Sequence, residues 1–175
     1  MPRIFVCLLV ANALLLVATG AFGVVATRVS VERHILLAVF TLLMSCLVQV
    51  VAFTYLTVTG KMIAQAVHLA GLDHAILSQV KRLKRAVTLC LPLVFLPMVL
   101  VAATGASLWR GGAESGLHYL AAGGVLGAHL WAWWREYAVI LANADLLRRV
   151  LEQYSARGRS SGPLSALPAT GRKRG

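Results

Sequence analysis

Two histidines, His34 and His118, each stand at the beginning of an apolar stretch. If both stretches cross a membrane in the same direction, the two imidazoles lie at the same level. Imidazoles that face each other across a helical bundle can be the axial ligands of a haem b, and nearby arginines can pair with its propionates. The arginines placed to do so are Arg28, Arg33 and Arg110. The alternative interpretation is that both amphipathic rings simply lie at a wet helix end.

A third histidine, His129, follows His118 on the same helix face, about 16 Å further along. Gln49 and Asn12 occupy similar depths in two other apolar stretches. Polar side chains inside a bilayer turn inward and pair, so we predict a buried cluster of Asn12, Gln49 and His129. Either His129 is an ionisable functional group, or it is neutral and bonds Gln49 or a backbone carbonyl to hold helices in register.

Other chemistry has no support in the sequence. It contains no nucleophile with a base partner, no paired acids and no metal-ligand spacing, so neither catalysis nor a metal site is predicted. Glu136 is expected just past the last apolar stretch, at the membrane edge. That placement leaves no carboxylate inside any apolar stretch, and without one a proton relay is not expected.

The candidate residues named above lie in or next to four apolar stretches of the chain. Hydrophobic residues make up 59% of the 175-residue chain, its mean hydropathy is +0.78, and only 13% of residues are charged, which is typical of a membrane protein. The predicted spans are residues 4–26, 35–58, 86–108 and 117–134. The first could instead be a signal peptide, but its apolar length of about 22 residues favours a retained span. The predicted fold is an all-α integral membrane protein, an up-down-up-down four-helix transmembrane bundle with cytoplasmic helical extensions.

Amphipathic sequence continues beyond three of these spans. Residues 61–85 have the pattern of a helical hairpin that turns at Gly71, and residues 135–154 carry an apolar stripe that can pack against it. We therefore predict a membrane domain over residues 1–154 and a disordered basic tail over residues 155–175. An aromatic belt is predicted at the end of the fourth span, with Trp131, Trp133, Trp134 and Tyr137.

The charges are distributed unevenly between the two sides of this arrangement. Of the 17 Lys and Arg residues, the two short connectors carry Arg28, Arg33 and Arg110, and all others lie at the N-terminus, in the hairpin or after the fourth span. The positive-inside rule then places both termini in the cytoplasm. The hairpin cluster predicted to contact anionic lipid head groups comprises Lys81, Arg82, Lys84 and Arg85. The basic tail lacks interleaved aromatic residues, so nucleic-acid binding is not expected.

Two functions are compatible with this sequence. The first is a non-catalytic accessory or assembly subunit, whose cytoplasmic helices dock a protein partner or a second copy of the chain. The second is a small cytochrome-like subunit that carries electrons through a haem held by His34 and His118. An absorption spectrum of the purified protein separates the two.

Overall fold

A computed structural model describes residues 2–25, 31–109 and 115–160, and within these ranges all regular structure is helical. The prediction of an all-helical protein is therefore confirmed. The helices are α1 (Pro2–Val25), α2 (Val31–Ala70), α3 (Ala75–Thr88), α4 (Cys90–Trp109) and α5 (Ser115–Ser160).

Three stretches of helix are long and apolar enough to cross a membrane: Arg3–Val25, Val31–Ala70 and Ala75–Ser107. Many of their large apolar side chains are exposed, including Leu14, Leu36, Leu43 and Leu96, and a lipid environment would cover them. The chain is an integral membrane protein by these criteria, with its apolar outer surface in contact with lipid. The first part of α5 is less apolar, so the fourth span remains a prediction.

Helices α1 and α2 pack antiparallel. The hydroxyls of Thr19 and Thr41 are 2.7 Å apart. Further along the pair, the Ser45 hydroxyl donates to Asn12 Oδ1 at 3.1 Å. Near its beginning, α1 places Phe5 in an apolar cluster with α2. Small and polar side chains therefore form much of this interface, as expected where helices meet in a membrane.

Helices α2 and α5 run parallel and in register. Ser45 meets His129 and Thr59 meets Asn143, and both pairs are separated by 84 residues in the sequence. A residue of α2 therefore lies at the same level as the residue 84 positions later in α5. Helix α4 runs antiparallel to α5, because the Thr104 hydroxyl is 3.2 Å from His118 Nδ1 whereas Val94 clusters with Ala132.

The second half of α2, helix α3 and the second half of α5 form a three-helix extension unit. Helix α2 ends at Gly71, whose φ of 59° is readily adopted by glycine, and the Leu72 amide donates to Val67 O. The Asp73 carboxylate accepts the amide of Ala75 at 2.8 Å at the start of α3. Helix α3 then returns along α2. Beyond the buried Thr59–Asn143 pair, the core of this unit is apolar: Ile63, Ala66, Val67, Leu72, Leu146 and Val150.

Two helix boundaries differ from those expected from the sequence. Helix α3 continues past residue 85 to Thr88 and is separated from α4 by Leu89 alone, whose amide bonds back to Arg85 O. Helix α5 continues past residue 154 to Ser160. The Arg157 guanidinium donates to the carbonyls of Ala70 and Gly71, so α5 has a packing partner until the level of the α2–α3 turn. The remainder of the predicted tail lies outside the described residues.

Candidate functional site

The end of the bundle where α2 and α5 begin carries the two histidines proposed as haem ligands. His34 and His118 lie at the same level, partly exposed and near enough to interact electrostatically. Each ring packs on a glycine of the helix that precedes its own. A Cβ on Gly23 would lie 2.8 Å from His34 Cε1, and a Cβ on Gly105 would lie 3.1 Å from His118 Cε1.

The nitrogen partners of these two rings differ. Thr104 contacts Nδ1 of His118, which leaves its Nε2 available to another ligand. Nδ1 of His34 is buried and has no hydrogen-bond partner among the described residues. Of the arginines predicted to pair with propionates, Arg33 is exposed, and Arg28 and Arg110 lie outside the described residues. The geometry thus places the two imidazoles together without showing what they bind.

A short sequence repeat accompanies this similarity, although the two copies differ in detail, because His34 packs on Gly23 and not on Gly20 of the repeat. Ala-Thr-Gly-Ala occurs at residues 18–21 near the end of α1 and again at residues 103–106 near the end of α4. In both copies a histidine follows at the start of the next helix. The hairpins α1–α2 and α4–α5 thus share the order of a small-residue segment followed by a helix-starting histidine.

One level deeper, Ser45 connects three helices. Its hydroxyl lies 3.1 Å from Asn12 Oδ1 and 3.3 Å from His129 Nε2. Nδ1 of His129 is 2.9 Å from the carbonyl of Val125, which can only accept, so Nδ1 carries the proton. Rotating the Asn12 amide would let its otherwise unpartnered Nδ2 donate to Ser45, and Ser45 could then donate to His129. With the amide rotated in this way, Asn12 donates to Ser45, Ser45 donates to Nε2 of a neutral His129, and Nδ1 of His129 donates to the Val125 carbonyl. These contacts form one chain of hydrogen bonds.

The predicted polar cluster is divided between two levels. Asn12 and His129 are both fully buried and both contact Ser45. Gln49 is also buried, but its nearest ionisable neighbour is Glu136. The sequence predictions considered Gln49 or a carbonyl as the partner of His129; the structure shows Ser45 together with the Val125 carbonyl.

Glu136 occupies an unexpected environment. Its level matches that of Ala52, near the cytoplasmic end of the predicted span, but its side chain is 0% exposed. Neither carboxylate oxygen has a hydrogen-bond partner among the described residues, although the Gln49 amide lies beside it. The level of Glu136 at the membrane edge stays a prediction, and the structure adds that its carboxyl is buried in the interior of the bundle. Glu136 follows His129 by seven residues, so the same face of α5 carries both groups inward.

Trp133 shares this inward face. It was predicted to lie in an interfacial aromatic belt, but it is 7% exposed, and its ring packs edge-on against His129 at a centroid distance of 5.6 Å. Trp133 lies four residues after His129, about one helical turn along the same face of α5, so its side chain is also turned inward. Trp131 and Trp134 are exposed, as a belt requires, and Arg135 lies over the Trp131 ring.

Together these side chains form a polar column between α1, α2 and α5, which we define by Thr41, Ser45, Gln49, His129 and Glu136, with Thr19 and Asn12 from α1. From the level of Thr41 to that of Glu136 it covers about 16 Å of helix length, and Thr41 lies about 10 Å along α2 from His34. Beyond Glu136, an apolar cluster closes the column, and it includes Phe5, Leu56, Val87 and Ile140. Past this cluster, Asn143 Nδ2 donates to the Thr59 hydroxyl at 2.8 Å.

A second surface feature lies on the extension unit. The beginning of α1 packs against α2 and α5, where Phe5 belongs to the same apolar cluster as Ile140 and Tyr55 packs against that cluster. Beyond this point an open depression of about 580 Å³ lies along α5, and Tyr55 is the residue of α2 that lines it. Its lining, which we call the extension groove, consists of Tyr55, Ala144, Leu147, Arg148, Leu151, Glu152 and Ser155. At its rim, Arg148 donates to Asp145 and holds the pKa of that carboxyl below its usual value.

The hairpin cluster predicted to contact lipid head groups lies on α3. Lys81, Arg82 and Arg85 are exposed, and Lys84 places its ammonium 4.8 Å from the centre of the Phe53 ring.

Within the described residues, no group of three or more His, Cys, Asp or Glu side chains could hold a metal ion. No family model, curated protein or solved structure matches this chain.

Proposed function

We propose that this protein is a four-span, non-catalytic accessory or assembly subunit of a membrane complex, and that it docks a helix of a partner protein in its extension groove. The observation that carries the proposal is the position of this groove on α5, where it begins at Tyr55, a residue that also lines the junction of α1, α2 and α5. Helix α1 covers α5 up to this junction, and none of the described helices covers the groove beyond it.

The four-span arrangement rests on the packing of α5. This helix runs parallel to α2 over its whole length and antiparallel to α4, which supports an up-down-up-down bundle in which α5 crosses the membrane beside α2. With the uneven distribution of Lys and Arg, both termini and the extension unit are then cytoplasmic. Reporter fusions at residues 30, 72, 112 and 160 should alternate between outside and inside. A fusion at residue 72 that reports from outside would contradict this topology.

The chemistry of the groove indicates what kind of helix fits. Its floor is apolar, with Leu147 and the 43% exposed Leu151, whereas Arg148 and Glu152 supply one charge of each sign at its edge. A partner helix should therefore present an apolar stripe at three- and four-residue spacing, flanked by both acidic and basic residues. A second copy of this chain offers a groove instead of a ridge, so a partner protein fits better.

Site-specific photo-crosslinking in native membranes tests the docking. A crosslinker at Leu151 should capture a peptide with such an amphipathic stripe, and the matched control at the exposed Gln79 of α3 should not. Placing Leu151→Arg in the same groove should abolish capture by a crosslinker at Leu147, because a buried guanidinium without a partner is costly. Capture of a second copy, or of lipid alone, would refute the docking of a partner helix.

A second candidate function is electron transfer through a haem. It is favoured by the placement of His34 and His118 at one level and by the Thr104 contact, which orients Nδ1 of His118 and leaves Nε2 for iron. Haem would supply a one-electron redox centre, and the protein would hold it and set its exposure. Protein produced with haem available should then show a haem absorption band that His34→Ala and His118→Ala each remove and that His74→Ala leaves intact. A colourless, folded preparation would eliminate this candidate.

A further inference from the structure

The most unusual group in the described structure is the Glu136 carboxyl. It is fully buried, and neither oxygen has a hydrogen-bond partner among the described residues. The ion pairs in the described residues are those of Asp145 with Arg148 and Arg149, so no cation compensates Glu136 there. The polar side chain beside it is the neutral Gln49 amide. A buried carboxylate without a cation is strongly disfavoured relative to its neutral form, and one neutral amide offsets only part of that cost.

The described side chains around Glu136 include groups that can donate or accept a proton, but none of them forms an ion pair with its carboxyl. The Gln49 amide of α2 lies beside the carboxyl and suits either form of it: its NH2 can donate to a carboxylate, and its unpartnered buried Oε1 can accept from a carboxylic acid O–H once the amide rotates. Cys90 of α4 is buried nearby, and His129 lies two turns away on the same helix. Other titratable or charged side chains on the surrounding helices at about this level are Arg3, Cys7, Cys46, Tyr55, Lys84 and Arg135. Among these, Arg3, Cys7 and Arg135 are exposed, and Lys84 lies over Phe53.

The polar column leads to this carboxyl from one side only. Toward the His34 end, hydroxyl, amide and imidazole groups follow one another through Gln49, Ser45 and Thr41 of α2 and through His129 of α5. In the other direction, the apolar cluster that contains Phe5, Leu56 and Ile140 separates Glu136 from the extension unit. Unpartnered buried polar atoms along the column, such as Asn12 Nδ2 and Gln49 Oε1, are typical of positions where water completes the hydrogen bonding.

We propose that Glu136 is a proton-binding site inside the bundle, supplied with protons through the polar column from the His34 end. The step is a simple protonation: a hydronium ion in the column transfers one proton to the Glu136 carboxylate, which leaves a carboxylic acid and a water molecule. The acid O–H then donates to Gln49 Oε1, so both orphaned groups gain a partner. This assigns the protein a role in holding or passing a proton, beyond the docking of a partner, and it does not depend on the extension groove.

Infrared spectroscopy of the full-length protein in liposomes tests the proposal. At neutral pH we expect the carbonyl stretch of a protonated carboxylic acid, shifted to lower frequency in D₂O. Glu136→Gln should remove this band, whereas the matched control Glu152→Gln, at an exposed position, should retain it. Glu136→Asp keeps an acid at the site and should retain a shifted band, which provides a test if Glu136→Gln does not fold.

The route is tested separately by the rate at which the band exchanges in D₂O. The double variant Ser45→Ala, His129→Leu should slow this exchange at least tenfold while the amplitude of the band is preserved. Exchange at an unchanged rate would refute entry through the column. The site itself would be refuted if Glu136→Gln removed the bands of an ionised carboxylate instead, or if replacing K⁺ by Na⁺ shifted the carboxyl bands, which would identify a metal-cation site.

Discussion

The two halves of the α2–α5 pair have opposite interiors. In the half that also contains α1 and α4, the buried positions include Asn12, Ser45 and His129, and the exposed surface is rich in leucine. In the extension unit, the buried positions past the Thr59–Asn143 pair are apolar and include Ile63, Val67 and Val150, and the exposed surface carries the lysines and arginines of α3. The same two helices pass from one arrangement to the other without a break.

This contrast follows from the solvent that each half is built for. In lipid, an apolar side chain gains little by leaving the acyl chains, so small residues and hydrogen bonds hold helices together. In water, removal of apolar surface is the dominant favourable term, so the extension unit needs an apolar core. The change of interior between Glu136 and Ile63 is consistent with the predicted position of the membrane boundary, and it is an observation separate from the charge distribution.

The largest effect is expected in the apolar core of the extension unit. Ile63 is 0% exposed, and Ile63→Ala should lower the free energy of unfolding of this unit by about 2–5 kcal/mol, because it removes buried methyl groups and leaves a cavity. Hydrogen exchange of the amides of α3, measured in detergent micelles, reports the change. Met62→Ala is the control, since Met62 is 45% exposed and its truncation should change exchange little. Equal effects of the two variants would mean that the unit is not packed in this way.

The close contact between Gly23 and His34 should give the next largest effect. A Cβ at Gly23 would come within 2.8 Å of the ring, so Gly23→Ala must displace His34 or separate α1 from α2, at a cost of about 1–3 kcal/mol. Gly20→Ala is a matched control on the same helix, because a Cβ there meets nothing within 4 Å. In thermal unfolding in micelles, the midpoint temperature of Gly23→Ala should lie well below that of the wild type, and that of Gly20→Ala should equal or exceed it. The same ranking for both variants would contradict the contact.

Hydropathy was sufficient to predict the helical class, three membrane-length helices and the turn at Gly71, because each depends on a local pattern of ten or more residues or on one special backbone angle. The orientation of single side chains was less accessible. Trp133 and Glu136 resemble interfacial residues in the sequence, and their burial follows from the register between α2 and α5, which is a tertiary property. That register has a trace in the sequence in the equal spacing of polar residues in the two helices: Ser45 and Thr59 of α2, like His129 and Asn143 of α5, are 14 residues apart.

A smaller effect is expected for the hydrogen bonds of the polar column. His129→Leu removes the contact with Ser45 but fills the space with an apolar side chain, so the loss of stability should be about 1 kcal/mol. His74→Leu, at an exposed position on the hairpin turn, controls for the exchange of histidine for leucine. Chemical unfolding in mixed micelles measures both variants. A loss as large as that of Ile63→Ala would remove the proposed difference between the two halves of the molecule.

The smallest effect tests how the extension unit ends. Arg157 donates to the carbonyls of Ala70 and Gly71, which lie at the C-terminus of α2, where a positive charge also interacts favourably with the helix dipole. Arg157→Ala should therefore destabilise the end of α2 by about 0.5–1 kcal/mol. The effect should be local, with faster hydrogen exchange in the last turn of α2 and in residues 155–157 but not at Ile63. Arg82→Ala removes an exposed charge from the same unit and should leave this exchange unchanged. If both variants behaved alike, net charge and not the carbonyl contacts would determine where α5 stops packing.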